Sequence, residues 1–101
     1  MNHLPSHRTK IVCTIGPASD STSTLQEMIR AGLNVARLNL AHGTQSEHRA
    51  RISRIQEAAQ HTGRRVTILA DLPGPKIRIG ELPAPMQLRT GTTVLLAPDA
   101  P

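Results

Sequence analysis

A parallel α/β fold is the architecture this sequence predicts, and three observations predict it. Short β-branched runs alternate with amphipathic helical stretches. The connections between them are short. Two of the runs end in charged and amide side chains, Arg37-Leu38-Asn39-Leu40-Ala41-His42 and Ala70-Asp71. Charge is costly to bury unless it is paired, so a buried strand that ends in charge marks the working rim of such a sheet.

The elements follow in order. Residues 1–7 are polar and contain Pro5, and they read as a tail. Lys10 to Ile15 is a β-branched run stopped by Gly16-Pro17, a strand signal. Ala18 to Ser23 offers several N-caps. Ser23 with Gln26 and Thr24 with Glu27 both have capping-box spacing, and Leu25, Met28 and Ile29 form one helical face that Gly32 ends. Leu33 to Leu40 is a second strand, broken by Ala41-His42-Gly43. Thr44 and Glu47 make another capping box, opening a helix with Ile52, Ile55, Ala58 and Ala59 along one face. Thr62-Gly63 closes it, and Val66 to Ala70 is a third strand. Strand-helix-strand-helix-strand with short links implies parallel strands and right-handed crossovers. That pattern fits an open doubly wound sheet and the start of a barrel equally well.

After Asp71 the texture changes. Pro73, Pro75, Pro83, Pro85 and Pro98 divide short apolar runs at Ile77–Ile79, Met86–Leu88 and Thr92–Leu96. These read as antiparallel β, the opening of a separate small domain.

Composition narrows the function. The 101 residues contain no Phe, Tyr or Trp, so the core must come from Val, Ile, Leu, Met and Ala. So small a core suits part of a larger fold better than a self-sufficient domain. A net charge of +5 invites a nucleic-acid reading. The cations are scattered, however, and no aromatic is present for base stacking, which argues against it. The single cysteine, Cys13, lies in an apolar run and reads as a buried thiol, leaving no disulfide framework and no cysteine-based zinc site. No signal-peptide core and no membrane span is visible, so a cytoplasmic location is expected.

The rim residues suggest anion chemistry. Alternation puts Arg37, Asn39 and Ala41 on one side of the second strand and Leu38 and Leu40 on the other. Arg37 and Asn39 then form a donor-rich pair suited to phosphate or carboxylate, or Arg37 simply pairs with Asp71 within the fold. Asp71 suits a metal ion, or it balances Arg37, Lys76 or Arg78. Lys76 and Arg78, two apart, either face one anion or are a solvated pair. His42 is a candidate phosphate donor or general acid, although a lone turn histidine is usually neither. The phosphate-loop and dinucleotide patterns are absent, and the six-residue interval from His42 to His48 fits no usual metal pair.

Three motifs carry a resemblance. Arg8-Thr9-Lys10-Ile11-Val12-Cys13-Thr14-Ile15-Gly16-Pro17-Ala18-Ser19 resembles the opening strand of pyruvate kinases. Asn34-Val35-Ala36-Arg37-Leu38-Asn39-Leu40-Ala41-His42-Gly43 is similar to their second-strand motif, and Asp71-Leu72-Pro73-Gly74-Pro75-Lys76-Ile77-Arg78 to their third. The resemblance implies the first three strands and two helices of a (β/α)8 TIM barrel over residues 8–72. It also implies the start of an inserted antiparallel β lid domain over 73–101. The activity it implies is phosphoryl transfer from phosphoenolpyruvate to ADP, giving pyruvate and ATP in glycolysis, with Mg2+ and usually K+, in an enzyme that is typically a homotetramer. Arg37 would contact the transferring phosphate, Asn39 and Asp71 would help bind the monovalent cation, and His42 and Arg78 would face the nucleotide phosphates.

Three departures from the family pattern converge on the cation. Potassium-dependent members carry Ser where Ala41 stands, Thr where Leu72 stands and Glu where Lys76 stands. A lysine at that last position supplies the missing charge in potassium-independent relatives, because an ammonium is a compact point charge. The lysine, the Mg2+-binding carboxylates and the threonine that the family uses in catalysis come from later strands. These 101 residues alone are therefore expected to be inactive, as a truncated product or an incomplete gene model, or to act as a non-catalytic module docking on an intact kinase.

Overall fold

The computed structural model describes residues 7–98, so most of the predicted tail and the last three residues lie outside the described residues. The elements are β1 (Ile11–Thr14), α1 (Thr22–Ala31), β2 (Leu33–Asn39), α2 (Gln45–Thr62) and β3 (Thr67–Asp71). They form a three-stranded sheet in the order β1-β2-β3, with both strand pairs parallel. The sheet-and-helix alternation read from the sequence is therefore the one observed.

Helix α1 starts earlier than either expected capping box. Ser21 is its N-cap, accepting from the Thr24 backbone N–H, and Gly32 caps its end. Helix α2 keeps the predicted box: the Thr44 side chain accepts from the Glu47 N–H while the Glu47 carboxylate accepts from the Thr44 N–H. Two orphan N–H groups of the helix start are thus satisfied reciprocally.

Alternation along β2 sorts its two faces. Ala36 and Leu38 are buried, and they join Ile15, Leu25, Ile29, Leu33, Ile55 and Ala58 in one apolar cluster. Both helices therefore cover the same face of the sheet and pack on each other. The half-buried Cys13, Met28, Ile52, Ala59, Val66 and Ile68 complete this layer. The opposite face, carrying Val12 and Leu69, has no covering layer among the described residues, and both side chains are exposed.

A long-range clamp that no sequence pattern signals ties the β1–α1 loop to α2. Asp20 Oδ2 accepts from Arg51 Nε and Nη2, both at 3.1 Å, and from Arg54 Nη2 at 3.2 Å.

Beyond β3 the expectation of antiparallel strands is not met. Residues 72–98 contain no strand, and the runs at Ile77–Ile79, Met86–Leu88 and Thr92–Leu96 are all exposed. A strand needs a partner for its backbone N–H and C=O groups. Here each run stays exposed without a ladder partner, and a turn closed by Thr92 on the Arg89 carbonyl is the local order that forms.

Candidate functional site

The uncovered sheet face becomes polar at the carboxyl ends of the strands. Parallel pairing sets Thr14 of β1 beside Arg37 of β2, and Asn39 of β2 beside Asp71 of β3. Because Ala36 and Leu38 point into the helix layer, Arg37 and Asn39 are on the open side, as alternation requires. Backbone bonds hold this corner: Ile15 N–H donates to the Arg37 carbonyl at 2.9 Å and Leu40 N–H to the Asp71 carbonyl at 3.1 Å.

Arg37 is the hub. Its Nη1 donates to Thr14 Oγ1 at 2.9 Å and its Nη2 to Asp71 Oδ2. The pair left open by the sequence, Arg37 with Asp71, is therefore formed. A guanidinium has five N–H donors, and the two bonds to Thr14 and Asp71 leave the others without a partner among the described residues. Thr14 was not singled out in the sequence; its only signal is its position as the last residue of a strand that pairs with β2.

Asn39 does not touch Arg37 through a hydrogen bond. Its Oδ1 accepts from the Ala41 N–H at 3.1 Å and so folds the start of the β2–α2 turn. Ala41 and His42 are exposed on that turn. At its far end the Thr44 backbone and hydroxyl both donate to Glu47, and these bonds hold the Glu47 carboxyl below its usual range. Behind the turn lies His48, a buried polar side chain that sequence spacing treated only as an unsuitable metal partner.

Lys76 and Arg78 form no hydrogen bond or ion pair with the rim residues among the described residues. The strand that was expected to align them is absent, both are exposed, and neither forms an ion pair among the described residues. Leu72 is exposed beside Asp71. A shallow groove runs between the carboxyl-terminal half of α2 and the amino-terminal side of β3, lined by Ile55, Ala59, Val66 and Ile68, and it contains none of the rim residues.

The resemblance implies K+ and Mg2+, and the donor sets at the rim bear on both. Among the described residues no three His, Cys, Asp or Glu side chains gather as a metal site. For a monovalent cation the rim offers Asn39 Oδ1 and Asp71, each already hydrogen bonded, while Ala41 and Leu72 supply no side-chain oxygen. Arg37 already balances the Asp71 charge. This rim thus offers a K+ fewer side-chain oxygens than the resemblance implies, and among the described residues no cluster of carboxylates gathers for Mg2+.

The fold and this rim define a parallel α/β protein with a paired arginine and aspartate at the corner where its strands end. Comparison with known proteins makes the class specific. Residues 6–101 match the family model described as pyruvate kinase, barrel domain. The chain is 49% identical over 94 residues to pyruvate kinase of Thermococcus litoralis, covering 92% of this chain and 20% of that protein. It is 48% identical over 91 residues to the Geobacillus stearothermophilus enzyme, covering 89% of this chain and 16% of the relative. To the Staphylococcus saprophyticus enzyme it is 56% identical over 71 residues, 70% of this chain and 12% of the relative. The chain belongs to the pyruvate kinase family. It spans a fifth or less of the length of these relatives. The family match also resolves the choice left by the strand pattern, in favour of the start of a barrel over an open doubly wound sheet.

Proposed function

We propose that this chain supplies the phosphate-binding corner of an enzyme that transfers a phosphoryl group from phosphoenolpyruvate to ADP. The observation that carries the reading is the Arg37 guanidinium, fixed by Thr14 and Asp71 at a strand end, with its remaining N–H donors unbonded among the described residues. Phosphoryl transfer depends on positioning and on neutralising phosphate charge, and a held guanidinium suits both. In this reading Arg37 contacts the transferring phosphate, and Asn39 shapes the turn that carries His42. His42 and Arg78 meet the nucleotide phosphates. Residues 73–101 belong to an antiparallel lid that folds only against further strands, and this brings Lys76 and Arg78 over the rim. Lys76 then takes the place of K+, consistent with the missing oxygens at Ala41 and Leu72. Mg2+, held by carboxylates outside these residues, would neutralise phosphate charge.

The test is a graft. Residues 7–98 replace the matching segment of the Geobacillus stearothermophilus enzyme, and pyruvate formation from phosphoenolpyruvate and ADP is followed with and without K+. Activity that is lost in Arg37→Gln and indifferent to K+ is expected. A graft that stays active as Arg37→Gln removes the proposed role of Arg37, and a strict K+ requirement removes that of Lys76. The 101 residues on their own are expected to show no turnover in the same assay.

A second reading has its own observation. The sheet face carrying Val12 and Leu69 is uncovered among the described residues. A non-catalytic module that docks on an intact kinase would expose such a face, and comigration with a full-length enzyme would favour it.

A further inference from the structure

Among the described residues His48 stands out as a buried polar side chain whose two ring nitrogens both lack a hydrogen-bond partner. Buried polar groups are normally satisfied, so an exception calls for a physical account. Its surroundings supply one. His48 lies in the first turn of α2, where its backbone N–H donates to the Thr44 carbonyl at 3.1 Å. Its ring lies against Gly43. A Cβ built on Gly43 would sit 3.5 Å from His48 Nε2, 3.6 Å from His48 Cε1 and 3.1 Å from Glu47 Oε2. Gly43 also has φ +83°, a conformation that L side chains rarely adopt. The β2–α2 turn is thus seated at both ends and in the middle: Asn39 holds Ala41, the capping box holds Thr44, and the Nε2–Cε1 edge of the imidazole lies beside Gly43.

We propose that His48 is a positioning residue whose buried ring seats the β2–α2 turn through Gly43 and so fixes where His42 stands at the rim. The ring acts by shape, since neither nitrogen is bonded among the described residues. His42, next to Gly43 and exposed, is the side chain that this seat presents. The consequence for phosphate rests on the proposed function, whereas the seating of the turn does not.

Nuclear magnetic resonance on the 101-residue chain separates the two. His48→Ala is expected to move the Ala41, His42 and Gly43 amide resonances while leaving Ile11 and Asn34, at the other end of the sheet, in place. It should also abolish the shift that inorganic phosphate induces at His42 Cε1–H. His48→Phe, which keeps a planar ring without nitrogens, is expected to preserve both. Four outcomes would overturn the proposal: turn resonances that ignore His48→Ala, changes spread evenly through the sheet, a Phe variant that behaves like Ala, or turn resonances in the unmodified chain that are not dispersed. An unmodified chain in which His48→Ala moves the turn, but in which phosphate moves nothing, refutes the phosphate reading and supports the seat.

Discussion

Arg37 and Asp71 leave 33% and 45% of their side chains exposed, and an ion pair that wet contributes at most about 1 kcal/mol to stability. Its effect is better sought in direction and charge. Asp71→Asn should change unfolding free energy by less than about 1 kcal/mol. The same variant should bind inorganic phosphate more tightly at low salt, because a negative neighbour of Arg37 has gone. Titration calorimetry beside a denaturant curve checks both, and a large stability loss would show the pair to be structural. Glu47 gives a pH dependence with a definite sign. Its carboxyl is held below the usual range, first by the Thr44 backbone and then by the Thr44 hydroxyl. The capping contribution is therefore complete above the usual carboxylate range and fades as pH falls through the lowered folded value. Glu47→Gln should flatten that acid limb in a denaturation series, and an unchanged limb would assign it to other carboxylates. Arg37 and Asp71 were legible because charge at the end of an apolar run is conspicuous. Thr14 and His48 were not, since a threonine in a strand and a histidine on a helix look ordinary until pairing and packing give them neighbours.

Element ends followed local rules and were read more easily than element contacts. Thr44, Glu47, Gly32 and Gly63 act as caps where the sequence put them, because caps depend on residues within one turn. The start of α1 moved to Ser21 since Ser21, Ser23 and Thr24 all offer a hydroxyl, and spacing alone does not rank them. Contacts between elements depend on residues some 30 positions apart and left no such trace. Asp20 with Arg51 and Arg54 is one case. Arg64 is another: its Nη1 donates to the Ile29 carbonyl at 3.1 Å and the Arg30 carbonyl at 3.3 Å, so a cation from the α2–β3 link closes the carboxyl end of α1. Cations at that end of a helix also meet its negative dipole pole. Thr44→Ala should cost about 1 kcal/mol through the lost cap. Arg64→Ala should cost about 0.5–1 kcal/mol, because it is exposed and water replaces much of what is lost. Chemical denaturation ranks the two, and the reverse order would mean that the α1 closure matters more than the α2 cap.

Among the described residues burial stops at β3. The apolar cluster draws on residues from Ile15 to Ala58 and its flanking layer reaches Ile68, whereas residues 72–98 are exposed throughout. Leu72, Ile77, Ile79, Leu88, Leu95 and Leu96 consequently keep their apolar surface in water. Apolar area in water is unfavourable by about 25 cal/mol per Å2, so this segment gains from any partner that covers it. It also contributes little to holding β1-α1-β2-α2-β3 together. Two consequences can be measured in one experiment. Trypsin should cut first after Lys76, Arg78 and Arg89, all exposed in backbone with no strand or helix, while Arg51 and Arg54 inside α2 are protected. The product reaching from the β1 side to Lys76 should then keep the helical circular dichroism of the uncut chain, because both helices lie within it. In the grafted enzyme the same three sites should resist cleavage, since further strands are present to pair with the runs at Ile77–Ile79, Met86–Leu88 and Thr92–Leu96. Equal resistance in the chain alone would mean that these runs already pair with one another. Equal sensitivity in the graft would mean that the lid reading of residues 73–101 is wrong, and with it the route by which Lys76 and Arg78 reach the rim.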